Sequence, residues 1–206
     1  MAGTVRVKIC GITCLDDALL ASRLGADALG FNFWPGSKRF IEPDAARAII
    51  DRLPPFVAPV GVFVNQPPAE VVALAFRSGI AAIQLHGDEP PKDCVGYRVP
   101  IIKALRVVGR ESLSAMEHYV VQAFLLDANG PGFGGSGRTF DWALAREAAL
   151  RAHILLAGGL TPENVGEAIR SVRPWAVDVA SGVERSPGIK DPDKLARFIA
   201  RSKEVP

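Results

Sequence analysis

The chain changes character again and again along its length, and nothing else in it narrows the fold as much. A short apolar, β-branched run gives way to a segment with helical spacing of apolar positions, and the pair recurs eight times in 206 residues. The strand-like runs are "VRVKIC", "ALGFNFW", "APVGVFV", "AAIQLHG", "PIIKALRV", "AFLLDA", "HILLAGG" and "WAVDVASG". The segments that follow them include "LDDALLASRLG", closed by Gly25, and "EPDAARAIIDRL", with Pro43 suited to an early helix position. Strands that alternate with helices throughout imply a parallel sheet, because parallel neighbours need a crossover connection. Eight such units fit an open doubly wound sheet poorly and a closed (β/α)8 barrel well, since that fold starts at roughly 200 residues. The expectation is α/β: one domain over residues 1–206, with eight parallel strands inside an outer ring of helices. The weakest unit is the fourth, "DEPPKDCVGYR", whose adjacent prolines predict a short or irregular helix.

Composition limits the partners. Hydrophobic residues make up 49% of the chain and charged residues 22%, the balance of a globular protein with a generous interior. The formal net charge is +2, and the Lys and Arg residues are spread along the chain, so no basic stripe points to nucleic acid or an anionic membrane. Apolar runs are too short to span a bilayer, and "MAGTVRVKICG" leaves no room for a secretory signal before the first strand; a cytoplasmic location is expected. A small molecule is the expected partner, and monomer and homodimer both stay open. The three cysteines, Cys10, Cys14 and Cys94, are too few for a disulfide framework and lack the second Cys/His cluster of a zinc site, so no metal is expected.

In a barrel of this kind chemistry collects at the C-terminal ends of the strands. Cys10 ends the first strand, Asn32 lies near the end of the second, His86 ends the fourth, Asp127 ends the sixth, and Asp178 in the eighth is a substrate-binding candidate. Alternate strand residues share a face, so Lys8 faces the way Cys10 does, and Gln84 the way His86 does. Cysteine also serves as a small buried apolar residue, and an isolated histidine as a plain hydrogen-bonding one. A carboxylate directly after "AFLL" is poorly placed unless it meets solvent or a ligand. Gly158 and Gly159 in "LLAGGLTPENV", and Ser181, Gly182 and Val183 in "DVASGVERSPG", follow the last two strands. Glycines there let backbone N–H groups approach an anion and point to a phosphate between the two turns; they also permit ordinary tight turns. The run "GPGFGGSGRTFDW" after Asp127 reads as a mobile loop able to cover a ligand, or as an uncommitted one.

Taken in order, "KICGIT", "GFNFWPGSKRFIEP", "VGVFVN", "QLHGDE", "LLDANGPGFGGSGRTFDW", "LAGGLTPENV" and "VDVASGVERSPGIKD" resemble the phosphoribosylanthranilate isomerases, the barrel enzymes of tryptophan biosynthesis, over essentially the whole chain. The resemblance implies an Amadori rearrangement that needs no cofactor: N-(5-phosphoribosyl)anthranilate becomes 1-(2-carboxyphenylamino)-1-deoxyribulose 5-phosphate. It implies Cys10 as general base, Asp127 as general acid and Arg39 beside the anthranilate carboxylate. An unperturbed cysteine is only ~3% thiolate at pH 7 and an unperturbed aspartic acid ~0.1% protonated, so the expectation is that Lys8 or the groups that bind the anionic ligand lower the one pKa and that burial raises the other. Cys14 after "GIT" departs from the commonest family wording. Three other readings remain: an aldolase-type barrel with Lys8 or Lys103 as Schiff-base nucleophile, another phosphate-binding barrel enzyme such as indole-glycerol-phosphate synthase, and a noncatalytic phosphate-ligand-binding barrel.

Overall fold

The structure is a computed structural model and describes residues 4–107, 109–128 and 142–205. Eight parallel strands close on themselves: β1 (Arg6–Cys10), β2 (Ala28–Asn32), β3 (Ala58–Phe63), β4 (Ala82–Leu85), β5 (Ile101–Val107), β6 (Ala123–Ala128), β7 (Ile154–Leu156) and β8 (Ala176–Val179). β1 pairs with β2 on one side and β8 on the other, so the barrel has no open edge. The helices are α1 (Leu15–Arg23), α2 (Pro43–Ile50), α3 (Pro68–Ser78), α4 (Arg110–Ser114), α5 (Trp142–Ala149), α6 (Val165–Val172) and α7 (Pro192–Lys203). Fold class and strand count follow the sequence pattern.

Local sequence explains where the helices begin and end. Pro43 opens α2 with its φ already helical and no N–H to waste, and α3 stops at Gly79 in the left-handed region. Asp191 caps α7, its carboxylate accepting from the N–H groups of Asp193 and Lys194. On α6 the buried side chains Val165, Ala168, Ile169 and Val172 follow the i, i+3, i+4, i+7 spacing of one helical face. The fourth unit has no α-helix. Pro90 and Pro91 suit a helix start, as Pro67 and Pro68 do for α3, but Gly96 with its φ of +84° breaks the segment before a longer helix can form, and only a 3₁₀ turn, Pro91–Asp93, forms there.

Two sets of side chains fill the molecule. Ile9, Leu29, Phe31, Ile83, Leu85, Leu126 and Val177 point outward and pack with the helices. Val60, Ile102, Ala104, Ala123, Leu125, Leu155, Ala157 and Ala176 form a separate cluster inside the barrel. Because strand side chains alternate, outward Ile9 sends Lys8 and Cys10 inward, outward Ile83 and Leu85 send Gln84 inward, and inward Leu125 carries Asp127 with it. Five strands begin on alanine, at Ala28, Ala58, Ala82, Ala123 and Ala176. These residues line an apolar pit of about 400 Å³ at the N-terminal end, opposite the strand ends that carry the polar groups.

After β8 the chain makes a 3₁₀ turn, Ser181–Val183, and then an antiparallel hairpin of β9 (Glu184–Ser186) and β10 (Ile189–Lys190). The Ser-Pro-Gly turn between them was not read as a hairpin from sequence, because neither strand exceeds three residues. The glycine-rich run 130–141 lies outside the described residues.

Candidate active site

One pocket at the C-terminal end of the barrel is lined by Cys10, Arg39, Asp127, Gly158, Gly159, Asp178, Ser181 and Gly182, with Asn32 and His86 among them. These residues are up to 172 positions apart in sequence, and closure of the sheet brings them together. Val183 is not among them. Its side chain is fully buried in the helix-facing core, and its N–H is spent on the carbonyl of Ala180 at 3.4 Å. A three-residue 3₁₀ turn rotates its third residue away from the mouth.

At the end of β1, Gly30 of β2 makes the space for two functional groups. A Cβ there would lie 2.8 Å from Cys10 Sγ and 3.2 Å from Lys8 Nζ. Lys8, only 2% exposed, donates to Asp178 Oδ1 at 2.7 Å, a pairing set up by the β1–β8 register that places the two residues side by side. Desolvation pushes the Cys10 thiol above its ordinary range; Lys8 pulls the other way, but Asp178 beside it adds to the rise. Lys8 thus favours the thiolate as expected, but desolvation outweighs it, and its charge is shared with Asp178. Burial alone would discharge Lys8, yet Asp178 and Cys10 outweigh it and raise its pKa. An ammonium held in this way is not a nucleophilic amine, which counts against a Schiff base at Lys8. Lys103 shares the outward face of Ile101, and its Nζ donates to Glu89 Oε2 at 2.8 Å and to the Gly87 carbonyl at 2.7 Å.

The other cysteines are differently placed. Cys14 precedes α1 and does not line the pocket, and burial raises its thiol. Cys94 is buried, with desolvation pushing its pKa up to about 11.

Asp127, 5% exposed, presents its carboxylate to the pocket from β6. His86 Nε2 lies 3.5 Å from Asp127 Oδ2, and His86 Nδ1 is 2.7 Å from Gln84 Nε2. The Gln84 side-chain amide donates there, which makes Nδ1 the acceptor and leaves the ring proton on Nε2, facing the carboxylate. Asp127 Oδ1 and Gln84 Oε1 are buried with no hydrogen-bond partner among the described residues. Sequence parity had paired Gln84 with His86, but only the barrel's closure places Asp127 beside them.

The two glycine turns form a backbone-lined recess. Gly158 and Gly159 both have positive φ, 80° and 70°, and a Cβ on Gly182 would collide with the carbonyl oxygen of Leu160. Across the pocket Arg39 lies in the loop after β2, its own N–H donating to Ser37 Oγ at 3.1 Å. Its Nε and Nη2 donate to the two oxygens of Glu184 at 2.8 and 2.7 Å. One edge of the guanidinium is thus occupied, and its remaining N–H groups are left for the pocket. Glu184 and Lys190 escaped the sequence reading; both stand in "VERSPGIK", six residues apart across the hairpin. Among the described residues no group of three or more His, Cys, Asp or Glu side chains is placed to hold a metal ion, and no helix is long and apolar enough to cross a membrane.

Comparison with known proteins gives one consistent result. Residues 7–201 match the family model described as N-(5′-phosphoribosyl)anthranilate (PRA) isomerase. The N-(5′-phosphoribosyl)anthranilate isomerase of Pelobacter propionicus is 52% identical over 202 residues, which is 98% of this chain and 97% of that protein. The crystal structure of phosphoribosyl anthranilate isomerase from Thermotoga maritima superposes with a TM-score of 0.90 at 48% identity, covering 97% of this chain and 98% of that one. A phosphoribosyl anthranilate isomerase solved in complex with reduced 1-(o-carboxyphenylamino)-1-deoxyribulose 5-phosphate superposes with a TM-score of 0.86 at 46% identity, covering 97% and 98%.

Proposed function

The chain belongs to the N-(5′-phosphoribosyl)anthranilate isomerase family, and from that premise we propose how its pocket carries the family's reaction, the conversion of N-(5′-phosphoribosyl)anthranilate to 1-(2-carboxyphenylamino)-1-deoxyribulose 5-phosphate in tryptophan biosynthesis. C1′ is reduced and C2′ oxidised within one molecule, so the electron balance closes without an external oxidant. The observation that carries this reading is the shared pocket: an acid candidate, a base candidate, a guanidinium and a glycine-lined recess all open into it.

The substrate's phosphate sits between the Gly158–Gly159 turn and Ser181–Gly182, where the backbone can come close because no Cβ intervenes. The free N–H groups of Arg39 meet the anthranilate carboxylate. Asp127 gives its proton to the ring oxygen of the furanose; the C1′–O bond breaks as the nitrogen lone pair forms C1′=N. Cys10 as thiolate then takes the C2′ proton, and the electrons of that C–H bond pass through C2′ and C1′ to neutralise the iminium. The resulting enol tautomerises, its oxygen losing a proton and C1′ gaining one, to give the ketone. His86, with its ring proton set by Gln84, holds the Asp127 carboxylate toward the pocket. The cytoplasmic location expected of a biosynthetic enzyme is part of the same proposal.

Turnover of freshly generated N-(5′-phosphoribosyl)anthranilate, followed by the change in anthranilate fluorescence, tests the reading. Substrate-dependent formation of the ketosamine supports it. A purified, folded chain that binds the reduced product analogue and forms no ketosamine would leave the noncatalytic alternative standing.

A further inference from the structure

Behind the pocket, a buried ionic group joins the base-bearing strand to the guanidinium. Glu184, 7% exposed, accepts Nε and Nη2 of Arg39 and also Lys190 Nζ, the last at 2.9 Å on Oε1. Lys190, 1% exposed, gives a second hydrogen bond from Nζ to the main-chain carbonyl of Cys10 at 2.6 Å. The same Glu184 oxygen accepts the Gly188 N–H at 3.3 Å, and the Gly188 carbonyl accepts from Thr13 Oγ1 at 2.5 Å. The hairpin β9–β10 therefore grips both sides of the mouth: the Arg39 loop through Glu184, and the Cys10–Thr13 turn through Lys190 and Gly188.

We propose that Glu184 is a positioning residue that fixes the free edge of Arg39 in register with Cys10, with Lys190 as the link between them, so that the aryl carboxylate of the substrate is held at a set distance from the base. This rests on the assignment of Arg39 and Cys10 above. The guanidinium is a long, flexible side chain, and without a partner on its inner edge it would lose rotamer entropy each time it met a carboxylate. Glu184 removes that cost in advance, because its two oxygens match the planar fork and leave a single orientation. Gly11 completes the arrangement: its φ is +77°, and a Cβ there would collide with the stem of Arg39. Lys190 does two things at once. It keeps the carboxylate charged against burial, and it pins the carbonyl at the end of β1, so that a shift of the guanidinium and a shift of the Cys10 backbone are coupled. Burial opposes the charge on Glu184, but Arg39 and Lys190 prevail and hold its pKa below the usual carboxylate range.

The test uses Glu184→Gln, which keeps the shape of the side chain, and two ligands: the reduced product analogue, and the same molecule with plain phenylamino in place of carboxyphenylamino. For Glu184→Gln the carboxylated ligand should bind at least ~10-fold more weakly while the phenylamino ligand stays within ~3-fold of the parent. Arg39→Ala should show the same pattern, and adding Glu184→Gln to it should cost little more, since the two residues act through one contact. Thermal midpoints show whether each variant is folded; if Glu184→Gln is not, Glu184→Asp keeps the charge at shorter reach and should show the same selective loss in smaller measure. Equal loss for both ligands, or no loss for either, overturns the proposal. Should Arg39→Ala itself fail to discriminate the ligands, the assignment of Arg39 falls, which is a different result from a failure of Glu184 alone.

Discussion

Cys10 carries the sharpest consequences at the scale of single residues. Its thiol sits above the ordinary range because desolvation and Asp178 outweigh Lys8, so the thiolate fraction at neutrality is below the ~3% of a free cysteine. The expected outcome, read in the Cys14→Ser background, is a rate of Cys10 alkylation that climbs with pH well past neutrality. Asp178→Asn removes a negative charge that raises the thiol and should move this climb to lower pH. The same change leaves Lys8 buried without its counter-ion, for a loss of about 3–5 kcal/mol of stability, read from denaturant midpoints. A climb that stays in place, or moves to higher pH, in the folded variant would show that Asp178 does not tune the base. Cys14→Ser, which lies outside the pocket, should keep most activity and remain open to inactivation by thiol alkylation. His86→Asn tests the carboxylate's neighbour: kcat should fall by roughly 10-fold or more with the affinity for product analogue little changed, as for a residue that orients an acid without binding the ligand. A change confined to KM would assign His86 to binding.

Glycine decides the element scale. Gly159→Val or Gly182→Ala puts side-chain atoms where backbone must approach a ligand, and at Gly182 a single methyl meets the Leu160 carbonyl. Both variants should bind inorganic phosphate and the phosphorylated product analogue much more weakly; binding at the parent's affinity by the folded proteins would move the phosphate elsewhere. How legible these elements were depends on what each rests on. Strand and helix periodicity, the poorly helical fourth unit and the inward parity of Lys8 with Cys10 are local properties, and local sequence carries them. The β9–β10 hairpin was missed because two or three residues make no periodic signal. Asp127 beside His86, and Arg39 with one edge of its guanidinium taken by Glu184, come from barrel closure between distant segments, which spacing does not encode. Val183 was included because the turn was read as three equivalent residues, whereas a 3₁₀ turn sends each one in a different direction.

For the whole molecule, closure of β8 on β1 and one continuous helix-facing core mean that no part of the sheet can leave without opening its neighbours. We therefore expect residues 1–206 to unfold as one domain, with coincident transitions by far-UV circular dichroism and by the fluorescence of Trp34, Trp142 and Trp175; two separated transitions would divide the chain. Two buried carboxylates set its acid limit. Burial works against the charge on Glu89, but Lys103 and the Asn65 N–H prevail, so Glu89, like Glu184, is held below the usual range. A depressed folded pKa contributes stability that is complete above the ordinary glutamate value and is lost as pH falls through the folded one. Urea midpoints should decline below about pH 5, and Glu89→Gln should be less stable at neutrality with a shallower acid decline. The account as a whole stands on the pairing of Cys10 with Asp127, and the most direct test is single-turnover isomerisation of N-(5′-phosphoribosyl)anthranilate by the parent, Cys10→Ser and Asp127→Asn. Both variants should bind the reduced product analogue near the parent's affinity and lose at least ~10²-fold in the rate of isomerisation. A folded Cys10→Ser or Asp127→Asn protein that turns over at the parent's rate would contradict it.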